Sequence, residues 1–161
     1  MTDEDPTMRR IADAITLHRD GDAAGARQRF AEIWADISPD GDTFHQCVLA
    51  HYMADLQDDL RDELVWDLRA LAAADASSDD RVKRYDSSLD LRGFYPSLYV
   101  NLADDYHRLG DHAKARAHLD QAEAHADTLR NDGYGDTIRS AIRRLAAELA
   151  EAETAPRNGA R

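Results

Sequence analysis

The stretch Leu98 to Ala122, LYVNLADDYHRLGDHAKARAHLDQA, constrains the fold more than any other part of the chain. Leu98, Tyr99, Leu102, Ala103, Tyr106 and Leu109 recur at three- and four-residue spacing, which is one apolar face of an α-helix. After Gly110-Asp111 the spacing resumes in Ala115, Leu119 and Ala122. Glycine takes the left-handed conformation that ends a helix, and aspartate accepts hydrogen bonds from the first amides of the next one. Two amphipathic helices joined this tightly must run antiparallel and bury their apolar faces against each other.

The same punctuation stands at Gly21-Asp22. Before it, a helix opened by Thr7 carries Met8, Ile11, Ala12, Ala14 and Ile15. After it, a second helix (about 22–37) buries Ala26, Phe30, Ile33, Trp34 and Ile37. Ser38-Pro39-Asp40-Gly41-Asp42 is a turn. Thr43 opens a third helix with Val48, Leu49, Tyr52, Met53 and Leu56. A fourth follows Gln57-Asp58-Asp59 to about Ala74, with Leu60, Leu64, Leu68 and Leu71 as its buried stripe, widened by Val65 and Trp66. Residues 75–95 are irregular, with a short extra helix through Val82, Tyr85 and Leu89. Pro96 suits the first turn of the fifth helix. The sixth runs from about 112 to 130, and the last, capped by Asp136 or Thr137, carries Ile138, Ala141, Ile142, Leu145 and Leu149 to about 153. Residues 1–6 and 154–161 read as unfolded tails. The expectation is a single all-α domain over 7–153, of about seven helices stacked as antiparallel hairpins (about 7–37, 43–74 and 96–130).

The net charge is −12, which repels phosphate backbones and anionic lipid, so neither nucleic acid nor a membrane surface is an expected partner. Arg, Ala and Asp preference fits GC-rich coding, as in many bacterial genes. One cysteine, Cys47, precludes an internal disulfide. The opening TDEDPT is too acidic and polar for a signal peptide, and no apolar run approaches the ~18 residues of a membrane helix, which makes the cytoplasm the expected compartment.

Paired helices with this rhythm are similar to the tetratricopeptide repeat family. The family wants small residues where paired helices cross, large ones between hairpins, and a Gly-Asp turn. Tyr99, Leu102-Ala103, Tyr106, Gly110-Asp111, Ala115, Leu119 and Ala122 match in order and spacing. Ala14, Leu17, Gly21-Asp22, Ala26 and Phe30 match without the early aromatic, and Leu49-Ala50, Met53 and Leu56 match before the second unit drifts. The usual closing proline falls on Asp127. The Gly-Asp pairs lie 89 residues apart, against about 68 for two 34-residue repeats, and most of the excess falls in 75–95. The last helix resembles the capping helix of such arrays.

The resemblance implies a three-repeat right-handed α-solenoid, with the first helix of each hairpin lining a concave groove. Carried across, the groove residues are Met8, Ile11, Ile15, His18 and Arg19; Phe44, Cys47, His51, Ala54 and Asp55; and Ser97, Val100, Asn101, Asp104, His107 and Arg108. The set expected to touch a partner is His18, Arg19, Phe44, His51, Asp55, Asn101, Asp104, His107 and Arg108. The alternative is that residues 75–95 or the last helix fill the groove. Asn101 matches one position of the Lys/Asn clamp by which some relatives hold a peptide carboxylate, but Val100 and Asp104 replace its Lys and Asn. Asp55 and Asp104 favour a cation instead, with Arg108 either pairing one of them or orienting an acidic group.

Cys47, His51 and Asp55 share a helix face and are the one metal candidate, although three ligands from one helix are geometrically awkward. His107, His112, His118 and His125 read as solvated. The chain has no phosphate loop or nucleophile elbow, and Asp-Asp pairs at 58/59, 79/80 and 104/105 place neighbouring carboxylates on different helix faces. The expected function is a non-enzymatic adaptor that binds a protein or peptide and needs no cofactor. The alternatives are a homodimer formed through outer apolar positions, or a metal- or small-molecule-sensing helical protein.

Overall fold

The computed structural model describes residues 5–38, 40–77 and 91–154. Among these residues every regular element is helical. There are seven α-helices: α1 (Pro6–Arg19), α2 (Ala23–Ile37), α3 (Thr43–Ala54), α4 (Leu60–Ala76), α5 (Tyr95–Arg108), α6 (His112–His125) and α7 (Gly133–Thr154). Short 3-10 helices occupy Leu91–Phe94 and Ala126–Thr128. No helix of the described residues is long and apolar enough to cross a membrane. The expected helix through Val82, Tyr85 and Leu89 lies outside the described residues. The chain divides into two compact units, Met1–Phe94 and Tyr95–Arg161.

In the first unit α1 pairs with α2 and α3 with α4, and α3 also packs on α1 and α2. The α1–α2 turn is built as its sequence predicts. Gly21 sits at φ 93°, its amide donates to the His18 carbonyl at 3.1 Å, and the Asp22 amide donates to that of Leu17 at 2.9 Å. These two bonds satisfy carbonyls that the end of α1 leaves open. The Asp22 carboxylate then accepts from the Gly25 amide at 2.8 Å. Small side chains let the helices approach closely. Ala14 and Ala26 are buried, as are the larger Ile11, Phe30 and Ile33 of the same two helices.

Two helix starts differ from expectation for a common reason: the capping carboxylate stands upstream of the residue expected to cap. Asp5, not Thr7, caps α1, accepting from the Thr7 and Met8 amides at 3.0 and 3.1 Å. Pro6 follows in the first turn, where its missing amide proton costs nothing. Helix α3 opens at Thr43 as expected, with Asp42 capping it through the Phe44 amide. The Asp132 carboxylate accepts from the Gly135 amide at 2.7 Å, so α7 begins at Gly133, ahead of Asp136.

Helix α4 corrects a larger expectation. Its buried residues are Asp67, Ala70, Ala73 and Ala74, whereas Leu60, Leu64 and Leu71 are half-buried and Leu68 and Val65 are 39% and 43% exposed. Alanine permits a closer helix crossing than leucine, so the alanine run takes the core and the leucines border it. Trp66 and Trp34 meet edge-on at 4.9 Å, with the Arg69 guanidinium 4.5 Å from the Trp66 ring centroid.

The second unit has the reference hairpin, α5 and α6, with α7 packed on both. Its turn repeats the first: Gly110 at φ 85°, its amide on the His107 carbonyl at 3.0 Å, and the Asp111 amide on that of Tyr106 at 2.9 Å. The core joins Val100 and Ala103 of α5, Ala115, Leu119 and Ala122 of α6, and Ile142, Leu145 and Leu149 of α7. Each fully buried leucine contributes about 1.5–3 kcal/mol. Helix α6 is shorter than expected, because its last turn tightens into the 3-10 helix at Ala126–Thr128.

Candidate functional site

The nine residues expected to touch a partner divide between the units: His18, Arg19, Phe44, His51 and Asp55 in the first, and Asn101, Asp104, His107 and Arg108 in the second.

In the first unit the apolar half of the expected groove is core. Ile11 is fully buried, Phe44 is 1% exposed, and Met8, Cys47 and Ala54 are also buried. Two contacts account for this. Helix α1 packs against both α2 and α3, so it is covered over more than one stripe. Phe94, at the end of the irregular stretch, brings its ring to 6.4 Å from Phe44, so part of that stretch covers this face. Phe44 is therefore removed from the residues available to a partner.

The polar end differs. His18 and Arg19, in the last turn of α1, are exposed. His51 lies half-buried in the last turn of α3, its ring edge-on to Tyr52 at 5.7 Å, and Asp55 caps that helix with an exposed face. Asp55 feels the charges of His51, Glu63 and His18, so α1, α3 and the start of α4 converge electrostatically on it. Burial holds the Asp55 carboxyl above the ordinary aspartate range and Glu63 pushes it further, against the pull of the two histidines. Burial likewise lowers His51, against the attraction of Asp55. The spot therefore holds two acids side by side, with an imidazole whose charged form burial disfavours. Nearby, Arg27 donates to the Leu56 carbonyl and lies 3.6 Å from Asp58, which ties α2 to the α3–α4 turn.

Glu63 is the member that sequence reasoning missed. An acid in the first turn of a helix reads as a partner for the helix dipole, and only the packing of α4 on α3 brings it to Asp55.

Cys47 is a poor third ligand for a metal on this face. Burial, with help from Asp75, pushes its thiol up to about 12, whereas a metal takes the thiolate. Among the described residues, Cys47, His51 and Asp55 do not gather their ligand atoms within 4.8 Å of one another.

In the second unit the charges are already matched. Arg108 reaches Asp104 Oδ2 through Nε at 2.9 Å and Asp105 Oδ1 through Nη2 at 2.9 Å. Asp104 thus meets its cation within α5. His107 Nε2 lies 3.6 Å from Glu148 of α7, and its Nδ1 is buried with no hydrogen-bond partner among the described residues. Ser97 and Val100 are buried, the latter in the core with α7, while Asn101 is half-buried. The closing helix, like Phe94 in the first unit, covers part of the face expected to be open.

His118 and His125 are not the solvated histidines expected. His118 lies 5.0 Å from Tyr106, and His125 lies 5.5 and 5.4 Å from Tyr95 and Tyr99. Each donates from Nδ1 to the carbonyl one turn back, at 2.8 Å. The signal was present in the spacing: tyrosines at 95, 99 and 106 and basic residues at 114, 118 and 125 repeat the same intervals on two antiparallel helices.

No protein-family model matches this sequence, and no curated protein or solved structure matches it.

Proposed function

We propose that the chain is a non-enzymatic scaffold of tetratricopeptide-like hairpins that binds a basic peptide segment of a partner protein at the polar end of the first unit, centred on Asp55. The observation that carries this reading is the state of Asp55. It lies open to solvent on one side, is held above its ordinary range by burial, and has Glu63 adding to its negative field. A lysine or arginine side chain from a partner relieves both effects and returns the carboxyl toward its ordinary range. His18 and Arg19 flank the spot from α1 and orient the acidic or carbonyl groups that alternate with such cations in a peptide. The second unit is the weaker candidate, because Asp104 is occupied by Arg108.

The test is affinity capture with the whole chain as bait, read by quantitative mass spectrometry. Asp55→Asn combined with Glu63→Gln is expected to lower recovery of the captured partners about tenfold, equivalent to about 1.4 kcal/mol. Asp104→Asn alone, which leaves Arg108 on Asp105, is expected to leave recovery unchanged. Equal recovery with the Asp55/Glu63 variant overturns the reading.

A further inference from the structure

A second surface lies in the first unit, away from Asp55. Between α1 and α2 there is an open cleft of about 310 Å3. Its floor is apolar, made of Ala14, Leu17 and Ile33, and its walls are charged: Arg10 and Asp13 from α1, Arg29 and Glu32 from α2. Asp13 and Arg29 stand eight residues either side of Gly21, and Arg10 and Glu32 stand eleven. Helices folded back at that turn rise at the same rate per residue, so residues equidistant from it lie at about the same height. Each level therefore has one cation and one anion on opposite walls, and the order inverts from one level to the next.

These opposite charges do not neutralise one another across the cleft. Arg10 turns aside to Asp36, at 2.9 Å. Glu32 accepts from Gln28 of its own helix, at 3.3 Å. Asp13 and Arg29 stand without an ion pair among the described residues, above a floor in which Leu17 is only half-buried.

We propose that this cleft is the contact face of a homodimer, occupied by the α1–α2 hairpin of a second copy of this chain. An isologous interface must be complementary to itself, and this surface is. A two-fold axis parallel to the helices lays α1 over α2 of the second copy at equal height. Asp13 then meets Arg29 of the partner subunit, and Arg10 meets Glu32 of the partner subunit, each contact occurring twice. The half-buried Leu17 of each copy is covered between these rows.

The test is sedimentation equilibrium of the whole chain from micromolar to millimolar concentration, with Asp13→Arg, Arg29→Asp, and a 1:1 mixture of those two variants. The unmodified chain is expected to show a concentration-dependent monomer–dimer equilibrium. Each single reversal opposes like charges twice and is expected to weaken it by at least about tenfold. The mixture restores the original affinity, because every contact in the mixed dimer then joins opposite charges. A chain that stays monomeric throughout overturns the proposal, as does a dimer indifferent to the reversals or a mixture that fails to recover. Circular dichroism confirms that each variant is folded. Neither substituted residue belongs to the Asp55 site, so this surface and the peptide site stand or fall separately.

Discussion

Phe44 distinguishes a residue that binds a partner from one that holds the protein together. Its sequence position places it on the groove face, yet it is 1% exposed and lies 6.4 Å from the Phe94 ring. Phe44→Ala returns about 2 kcal/mol of transfer free energy. It also leaves a cavity of up to about 100 Å3, which costs up to about 2 kcal/mol at ~24 cal/mol per Å3. Loss of the ring contacts adds about 0.5–1.5 kcal/mol. Partial collapse of the cavity keeps the whole effect near 3–5 kcal/mol, a large fraction of the stability of a small unit. Both tryptophans, Trp34 and Trp66, lie in the first unit, so their fluorescence follows the unfolding of that unit alone. With a urea slope of about 1.5 kcal/mol per molar, the midpoint is expected to fall by about 2–3 M. A fall below about 0.5 M refutes the reasoning, because it places the ring in solvent where a partner can reach it.

Four further outcomes follow from the same structure. The Cys47 thiol, pushed from 9.0 to about 12, holds about a thousandfold less thiolate than an ordinary cysteine at a given pH, so alkylation at pH 8 is expected to be slow in buffer and fast in denaturant; equal rates contradict its burial. His51 is lowered below 6.5 on folding, so the stability linked to it is present above that pH and lost as pH falls through the depressed value; His51→Gln flattens this acid loss in urea titrations between pH 6.5 and 5. Asp55 runs the other way: its raised carboxyl favours the native state below the ordinary 3.8 and loses that advantage as pH rises, so Asp55→Asn is expected to raise the unfolding midpoint at pH 7 and not at pH 3. Gly110→Ala meets no atom within 4 Å but forces alanine to φ 85°, at a cost of about 1–2 kcal/mol in thermal or urea unfolding; an unchanged midpoint rejects the left-handed turn.

The elements of this chain were legible because they depend on local chemistry. The two Gly-Asp turns need a left-handed residue followed by a capping carboxylate, and both sequence and structure place them at Gly21-Asp22 and Gly110-Asp111. Seven helices follow from apolar spacing and from the near absence of glycine and proline within them. The caps of α1 and α7 lie two to five residues upstream of the expected ones, because several aspartates and threonines compete at each helix start and backbone geometry selects among them.

What only the tertiary structure decided is which face of each helix is covered. Periodicity identifies an apolar stripe but not its neighbour, so α4 was read with its leucines inside, whereas its alanines take the core. Spacing leaves it open whether the groove is free or filled by residues 75–95 or the last helix, and the packing of Phe94 on Phe44 and of Val100 with α7 covers part of each face. The electrostatics of Asp55 depend on Glu63 and His18, which stand eight residues after it and thirty-seven before it and meet it only through packing. Charge pairing between helices is likewise spatial: His107 of α5 meets Glu148 of α7, and Asp13 and Arg29 line one cleft from two helices. Hydrophobic spacing and capping act over one or two helical turns and can be read along the chain. Burial and Coulomb fields act between segments far apart in sequence, and folding alone decides which of them meet.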